Sequence, residues 1–338
     1  MKIAVIGAGA IGGVVAGYLV KAGKDVLLVG RRPQVETIQK IGLRIKGVRG
    51  EEVLRIKIAQ TLDQPCDLVI LTVKTQDLKE ALAENRPFIN PKTLVMTTQN
   101  GVQADRIAGT YCERHQMITS IVMFGATYTK AGEVVLNFEG DWIMGRSDGS
   151  RDAVLEEVKN VLGRAFSVVI SDDIMGMKWL KLFVNFNNCL PALIGKPMQE
   201  TFSDLDFCRL SVLLLKEGVS IVQKANIPLV SLPQFPVERI LGLALMPVDQ
   251  AAGIMNQTLT KLSKEPLYGS ILQSIMRQKA SEIDYINGEV VQLAKHTGTT
   301  APLNSKVVDL VHQVEHSGKF LKIDEVKREF DLINALEK

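Results

Sequence analysis

The sequence predicts an α/β protein, with an N-terminal Rossmann-like dinucleotide-binding domain followed by an all-helical C-terminal domain. Three observations predict it. A glycine-rich turn links a short apolar run to an amphipathic segment and then to a second apolar run, all within about 30 residues. Two further apolar runs, Asp67 to Val73 and Thr93 to Thr98, end in polar residues, as strands of a parallel sheet do where a ligand lies off their carboxyl ends. Beyond Asp173 the apolar spacing turns helical almost throughout.

Lys2 to Ile6 reads as the first strand, followed by Gly7-Ala8-Gly9-Ala10-Ile11-Gly12. In a GxGxxG turn of this kind Gly7 permits the tight bend, Gly9 lets the backbone approach a pyrophosphate, and Gly12 allows close helix–strand packing. The following helix offers its unpaired N–H groups to the phosphates, so the whole loop is a candidate cofactor contact. Ile11, Val14, Val15, Tyr18 and Leu19 form the inward face of that helix, which Gly23 closes. A second strand runs from Asp25 to Val29 and continues Gly30-Arg31-Arg32. An NAD-preferring site would place a carboxylate there for the ribose hydroxyl. Two guanidiniums suit a 2′-phosphate instead, with Arg31 the first candidate, Arg32 the second, and NADP(H) the expected cofactor.

The third and fourth apolar runs end at Lys74 and at Asn100-Gly101, which places Lys74 and Asn100 near the nicotinamide half. Ile118 to Thr127, Val134 to Phe138 and Trp142 to Gly145 read as antiparallel strands completing the sheet, with Ala131-Gly132-Glu133 as a turn. Val154, Val158, Val161 and Leu162 mark a helix, and Val168 to Ile170 a last strand. Helices are then expected over about 174–190, 205–225, 235–243, 267–280, 282–297 and 303–315, with a charged closing helix from Lys319 to Lys338. The domains divide as 1–172 and 173–338, and a substrate site is expected between them. In the first of these helices Trp179, Leu182, Phe183 and Phe186 share an apolar face, while Lys178, Lys181, Asn185 and Asn188 form a second stripe.

Composition narrows the function. At 46% apolar and 23% charged residues with a net charge of +3, the chain has no basic concentration suited to nucleic acid or a membrane surface. Cys66, Cys112, Cys189 and Cys208 form no CxxC pair, which argues against zinc or a disulfide scaffold and for a reducing compartment. No apolar run reaches the length of about 18 residues that a membrane helix needs. A chain that starts as a strand, without signal-peptide character, reads as cytoplasmic.

The motifs GAGAIGG, VGRR, VKTQ, TQNG, KWLKLFVN and SEIDYING, in this order from Met1 to about Glu315, resemble the ketopantoate reductase (2-dehydropantoate 2-reductase) family. The resemblance implies NADPH-dependent reduction of ketopantoate to pantoate on the route to pantothenate and coenzyme A. It puts the catalytic lysine on Lys181, a substrate amide on Asn185, a glutamate of the catalytic and cofactor site on Glu282 and a substrate serine on Ser270. Asn100 falls on a position contacted by cofactor and substrate, and Arg31, Lys74 and Ala126 on cofactor contacts. Where typical members read NPLTAL, this chain has Cys189-Leu190-Pro191-Ala192-Leu193, so the second substrate amide is missing from its usual place and Asn188 is the candidate to substitute. A later amide position holds Gln199, and Ser274 stands where an acidic residue is usual. A 2-keto acid is therefore a firmer expectation than ketopantoate itself. The alternatives are a related 3-hydroxyacid or opine-type dehydrogenase and a non-catalytic NADP sensor. A homodimer is compatible with all of these.

The chemistry stands without the resemblance. Reducing C2 of a 2-keto acid leaves charge on the carbonyl oxygen, which needs a hydrogen bond and a proton. No histidine lies near the motifs, whereas Lys181 carries transferable protons and an ordinary pKa of about 10.4 that desolvation would lower. Glu282 can pair with it, orient it, or bind a substrate hydroxyl or the cofactor.

Overall fold

In the computed structural model, which describes residues 1–263 and 265–331, the chain divides into two compact units, Met1–Met175 and Gly176–Lys338. The first is an α/β unit. Its strands are β1 (Lys2–Ile6), β2 (Asp25–Val29), β3 (Leu43–Gly47), β4 (Glu52–Leu54), β5 (Lys57–Ala59), β6 (Leu68–Leu71), β7 (Leu94–Thr97), β8 (Met117–Val122), β9 (Gly125–Lys130), β10 (Glu133–Phe138), β11 (Trp142–Gly145) and β12 (Val168–Ile170). Its helices are α1 (Ala10–Lys21), α2 (Arg32–Ile41), α3 (Leu78–Asn85), α4 (Gln103–Ala108) and α5 (Ala153–Leu162).

Eight strands form one sheet in the order β5-β2-β1-β6-β7-β8-β11-β12. All neighbours are parallel except β8 and β11. Alternate side chains feed two cores. Ile3, Val5, Val26 and Leu28 join the cluster under α1 and α5, while Ala4, Ile6, Val29 and Val69 join that under α3 and α4. Burial on both faces explains why these strands read as unbroken apolar runs. The end of α1 is a Schellman turn, as the glycine there requires: Gly23 has φ +76°, its N–H bonds Val20 O at 2.9 Å, and Lys24 N–H bonds Leu19 O at 3.0 Å.

One expectation is corrected here. The strands of residues 118–138 do not complete a single sheet. Residues 118–127 split at Met123 and Phe124, and β9 and β10 leave to form a second sheet, β4-β3-β10-β9. The reason lies on α1. A Cβ at Gly13 would stand 2.8 Å from Val134, and one at Gly17 would stand 2.2 Å from Ile45. The bare backbone of α1 thus lets β10 and β3 approach along a face that larger residues would block.

The second unit is helical: α6 (Ile174–Asn185, whose first two residues belong to the first unit), α7 (Cys189–Ile194), α8 (Met198–Thr201), α9 (Leu205–Lys224), α10 (Val237–Leu245), α11 (Val248–Leu259), α12 (Ser270–Met276), α13 (Asn287–His296), α14 (Pro302–Ser317) and α15 (Ile323–Glu329). The expected helix over 174–190 is interrupted by a 3-10 turn at Phe186–Asn188, and that over 282–297 starts only at Asn287, after a 3-10 turn at Ile283–Tyr285. Of the expected closing helix, Ile323–Glu329 is helical and residues 332–338 lie outside the described residues. Helix α11 was not expected. Its buried face consists of Ala251, Ala252, Met255 and Leu259, interrupted by Gly253, and small residues give a weak apolar period.

The apolar face of α6 is buried: Trp179, Leu182, Phe183 and Phe186 are at most 6% exposed. Phe183 and Phe186 meet edge to face, centroids 5.0 Å apart, over Gly218 of α9, where a Cβ would lie 2.8 Å from Phe183 and 2.9 Å from Phe186. Glu217, beside that glycine, accepts from Leu303 N and Asn304 N at the start of α14, at 3.0 and 2.8 Å. A carboxylate is favoured at a helix N-terminus, so α9 fixes both α6 and α14. Gly218→Ala is expected to lower stability by about 1–2 kcal/mol in denaturant titration, because overpacking against two rings outweighs the better helix propensity of alanine. An unchanged or raised midpoint would contradict that packing.

Candidate active site

The glycine loop is built by steric exclusion. Gly7 has φ +120°, and a Cβ there would lie 2.6 Å from Val73 N. At Gly12 a Cβ would lie 1.8 Å from Gly7 O. Gly9 differs: nothing stands within 4 Å of where its Cβ would be. Two glycines therefore close the bend while the third faces open space. Gly9 is also the N-cap of α1 and gives no side-chain cap, and the first turn carries no acidic residue, so its N–H groups suit an anion. This loop fits a dinucleotide pyrophosphate.

Two residues outside the expected set hold it. Thr72 donates its hydroxyl hydrogen towards Ile6 O and Gly7 O, at 3.0 and 2.9 Å. Gly30 lets Ala8 approach, since a Cβ at Gly30 would stand 2.5 Å from the Ala8 Cβ. The VGRR motif contained the signal, because a glycine at a strand end invites a close neighbour. Ala10 and Ile11 open α1, half-buried.

Arg31 and Arg32 follow β2 and are exposed. Arg31 pairs with Asp77 at 3.6 Å and Arg32 with Glu36 at 2.6 Å. Exposed pairs are weak and can be exchanged for a ligand anion. Lys74 follows β6 half-buried, and Asn100 follows β7 beside Gly101, whose φ is +78°. Between these two ends Gln99, 6% exposed, donates from Nε2 to Leu71 O and Val73 O at 2.8 Å each. Gln99 thus ties the strand end carrying Lys74 to the segment carrying Asn100. Ala126 lies on β9 and packs against the apolar cluster under α1.

In the helical unit Lys181 is half-buried, and no described residue gives its ammonium a hydrogen bond or ion pair. Burial pulls its pKa down from 10.5 to about 8. Asn185 lies one turn further along α6, half-buried. Lys178, of the same stripe, is 2% exposed. Cys189 is fully buried: its thiol donates to Phe186 O at 3.0 Å, and burial pushes its pKa up to about 12. Asn188 lies half-buried against Gly269, next to the exposed Ser270 that opens α12. Glu282, half-buried, precedes the 3-10 turn that leads into α13.

Gln199 stands apart from these. Its Nε2 donates to Ser263 O and Glu265 O at 3.0 and 2.8 Å, and its Oε1 accepts from Leu267 N at 3.0 Å. Both amide donors are committed to the backbone before α12, which makes Gln199 a clamp on that segment and not the substrate amide expected from the sequence.

Among the described residues no cluster of metal-ligating side chains occurs, and no helix is long and apolar enough to cross a membrane.

Comparison with known proteins identifies the family of the chain. Residues 3–149 match the family described as ketopantoate reductase PanE/ApbA, and residues 173–315 match its C-terminal counterpart. A 2-dehydropantoate 2-reductase of Pyrococcus horikoshii is 32% identical over 323 residues, covering 94% of this chain and 99% of that protein. One from Pyrococcus abyssi is 31% identical over 310 residues, covering 90% and 94%. Among solved structures, a D-mandelate dehydrogenase with NADH and anilino(oxo)acetate superposes with a TM-score of 0.81 at 23% identity, covering 94% of this chain and 99% of that one. A PanE/ApbA family ketopantoate reductase from Ralstonia eutropha gives 0.79 at 24% identity, with the same coverage. The chain belongs to the ketopantoate reductase PanE/ApbA family and is an oxidoreductase acting on CH–OH groups.

Proposed function

We propose that this chain reduces a 2-keto acid to the 2-hydroxy acid with NADPH, and that the acid is 2-dehydropantoate, giving (R)-pantoate for pantothenate and coenzyme A synthesis in the cytoplasm. The observation that carries the reading is the Lys181 ammonium, half-buried, without a partner among the described residues and with its pKa lowered to about 8. A structural lysine would pair or snorkel to water. An amine titrating near neutrality is poised to give and regain a proton.

NADPH supplies hydride to the carbonyl carbon when bound. Lys181 hydrogen-bonds the carbonyl oxygen as negative charge gathers there and passes it a proton from Nζ, leaving a neutral amine that solvent reprotonates. Asn185, Asn188 and Ser270 hold the carboxylate and hydroxyl ends of the substrate, and Glu282 orients the lysine or binds a hydroxyl. Arg31, with Arg32 beside it, binds the 2′-phosphate; the Gly7–Gly12 loop takes the pyrophosphate; Lys74, Asn100 and Ala126 line the remainder of the cofactor. Four free thiols are in keeping with a reducing compartment.

One observation favours a second substrate. The family amide is replaced by Cys189, which is fully buried, and a protein of the same fold is a mandelate dehydrogenase. A steady-state panel with NADPH, covering 2-dehydropantoate, short and branched 2-keto acids and an aryl 2-keto acid, separates the two. The highest kcat/KM is expected for 2-dehydropantoate. A preference for the aryl acid would replace that assignment, and no keto-acid-dependent oxidation at all would remove the enzyme reading.

Three further outcomes are expected. Since the acid form of Lys181 is the one required, kcat/KM for reduction should be level below about pH 8 and fall tenfold per pH unit above it, while oxidation of the hydroxy acid should rise towards the same pH. Lys181→Ala should lower kcat by about 100-fold or more and abolish that limb, with cofactor binding retained. A near-normal kcat would end the role. Arg31→Ala should weaken NADPH far more than NADH in fluorescence titration, and equal losses would refute the 2′-phosphate assignment.

A further inference from the structure

The 3-10 turn at Phe186–Asn188 decides which residue shares the face of Lys181 and Asn185. In an uninterrupted α-helix, at about 100° per residue, Asn188 and Cys189 would sit about 40° and 60° to either side of that face, neither clearly on it. Three steps at about 120° instead bring Asn188 directly over Asn185 and carry Cys189 about 120–140° away. The burial agrees: Cys189 is 0% exposed and Asn188 is half-buried. Pro191 accounts for the tightening, because it has no N–H for the Asn187 carbonyl and its ring would strike that carbonyl in a regular helix.

What Asn188 meets is Gly269, the residue before α12. Gly269 has φ −64° and ψ 159°, an extended conformation open to any residue, so its glycine serves no conformational need. A serine would even be the better N-cap there. The nearest atoms to a Cβ at this position belong to a single side chain: Asn188 Oδ1 at 2.4 Å, Cγ at 3.0 Å and Cβ at 3.2 Å. The surrounding backbone is pinned and cannot yield. Leu267 N bonds Gln199 Oε1 at 3.0 Å, Met198 N bonds Leu267 O at 2.8 Å, and Gln273 bonds Tyr268 O and Gly269 O at 2.8 and 3.0 Å. Any side chain at 269 must therefore displace the Asn188 amide.

We propose that Gly269 is a specificity-determining positioning residue: its missing side chain is the slot that aims the Asn188 amide at the substrate beside Ser270, in place of the family amide lost at Cys189. The proposal rests on the reading of Asn188 as a substrate ligand, and it adds the element that orients it. The Asn188 side chain makes no hydrogen bond among the described residues, so its amide is available for a ligand.

The test is a double-mutant cycle on the full chain, with NADPH and 2-dehydropantoate or whichever keto acid the panel selects. Gly269→Ala and Asn188→Ala are each expected to raise KM for the keto acid about tenfold, the scale of one hydrogen bond to a charged group. The kcat and the KM for NADPH should stay within about threefold. Combined, the two substitutions should be no worse than Asn188→Ala alone. Gly269→Ser controls for folding: it should keep or raise the melting temperature through the better N-cap, yet raise KM as alanine does. An additive double mutant, or Gly269 variants with unchanged KM beside an impaired Asn188→Ala, would overturn the slot while leaving Asn188 as a ligand. An unimpaired Asn188→Ala would overturn the ligand reading itself.

Discussion

Keeping an amine half-buried without a counter-ion among the described residues is the constraint on which the helical unit depends. Lowering Lys181 from 10.5 to about 8 costs on the order of 3 kcal/mol at neutral pH. The folded state binds fewer protons than the unfolded one between these values, so the penalty is full below about pH 8 and fades as pH rises towards 10.5. The opposite face of the same helix offsets it. Trp179, Leu182, Phe183 and Phe186 are each nearly or fully buried, and each such side chain contributes about 1.5–3 kcal/mol. That burial is possible because α9 presents Gly218 to the two phenylalanines. A desolvated amine and an apolar anchor thus share one helix, and the burial of the second offsets the cost of the first.

The nucleotide unit obeys a different constraint, which is exclusion. Gly7, Gly12 and Gly30 each stand where a methyl group would collide with backbone or with Ala8, whereas Gly9 stands where it would collide with nothing. The loop is closed on its protein side and open on its outer side. Thr72 and Gln99 then lock the neighbouring strand ends by hydrogen bonds to backbone oxygens. Buried polar side chains of this kind cost free energy unless satisfied, and here the satisfaction fixes the positions from which Lys74 and Asn100 extend.

Much of this was legible beforehand, for identifiable reasons. Period and turn chemistry are local, so β1, the glycine loop, the Gly23 cap and the apolar face of α6 could be read directly. Sheet membership is not local. Nothing within Ile118 to Phe138 says that its last strand will pair with Leu43–Gly47, because that depends on bare glycines a hundred residues earlier. Gln199 misled for a related reason: an amide at a familiar position is indistinguishable in sequence from an amide that clamps a loop. Helix α11 was missed because alanine and glycine bury little area and leave a faint period. The 3-10 turn was announced only by Pro191, four residues after the carbonyl it displaces.

The SEIDYING motif shows how a strong sequence signal can be mostly structural. Glu217 accepts Asn304 Nδ2 at 2.8 Å, which forces the Asn304 carbonyl to face the other way. Asn287 must then donate its own amide hydrogen to Asn304 Oδ1, at 3.0 Å, and both asparagines are 0% exposed. Ser281 accepts Ile283 N at 3.2 Å on its hydroxyl, and its N–H bonds Glu315 at 2.8 Å. Ile283 and Ile286 are sealed in the core. Five of the eight positions, Ser281, Ile283, Ile286, Asn287 and Gly288, thus lie buried, and the polar ones among them are bound into the unit. Glu282 is half-buried, ahead of the turn that the others hold. The residues around Glu282 build a backbone that cannot drift, and so hold its carboxylate at one place. The motif is specific because a buried polar turn admits few solutions, and the acid it carries inherits its position from them.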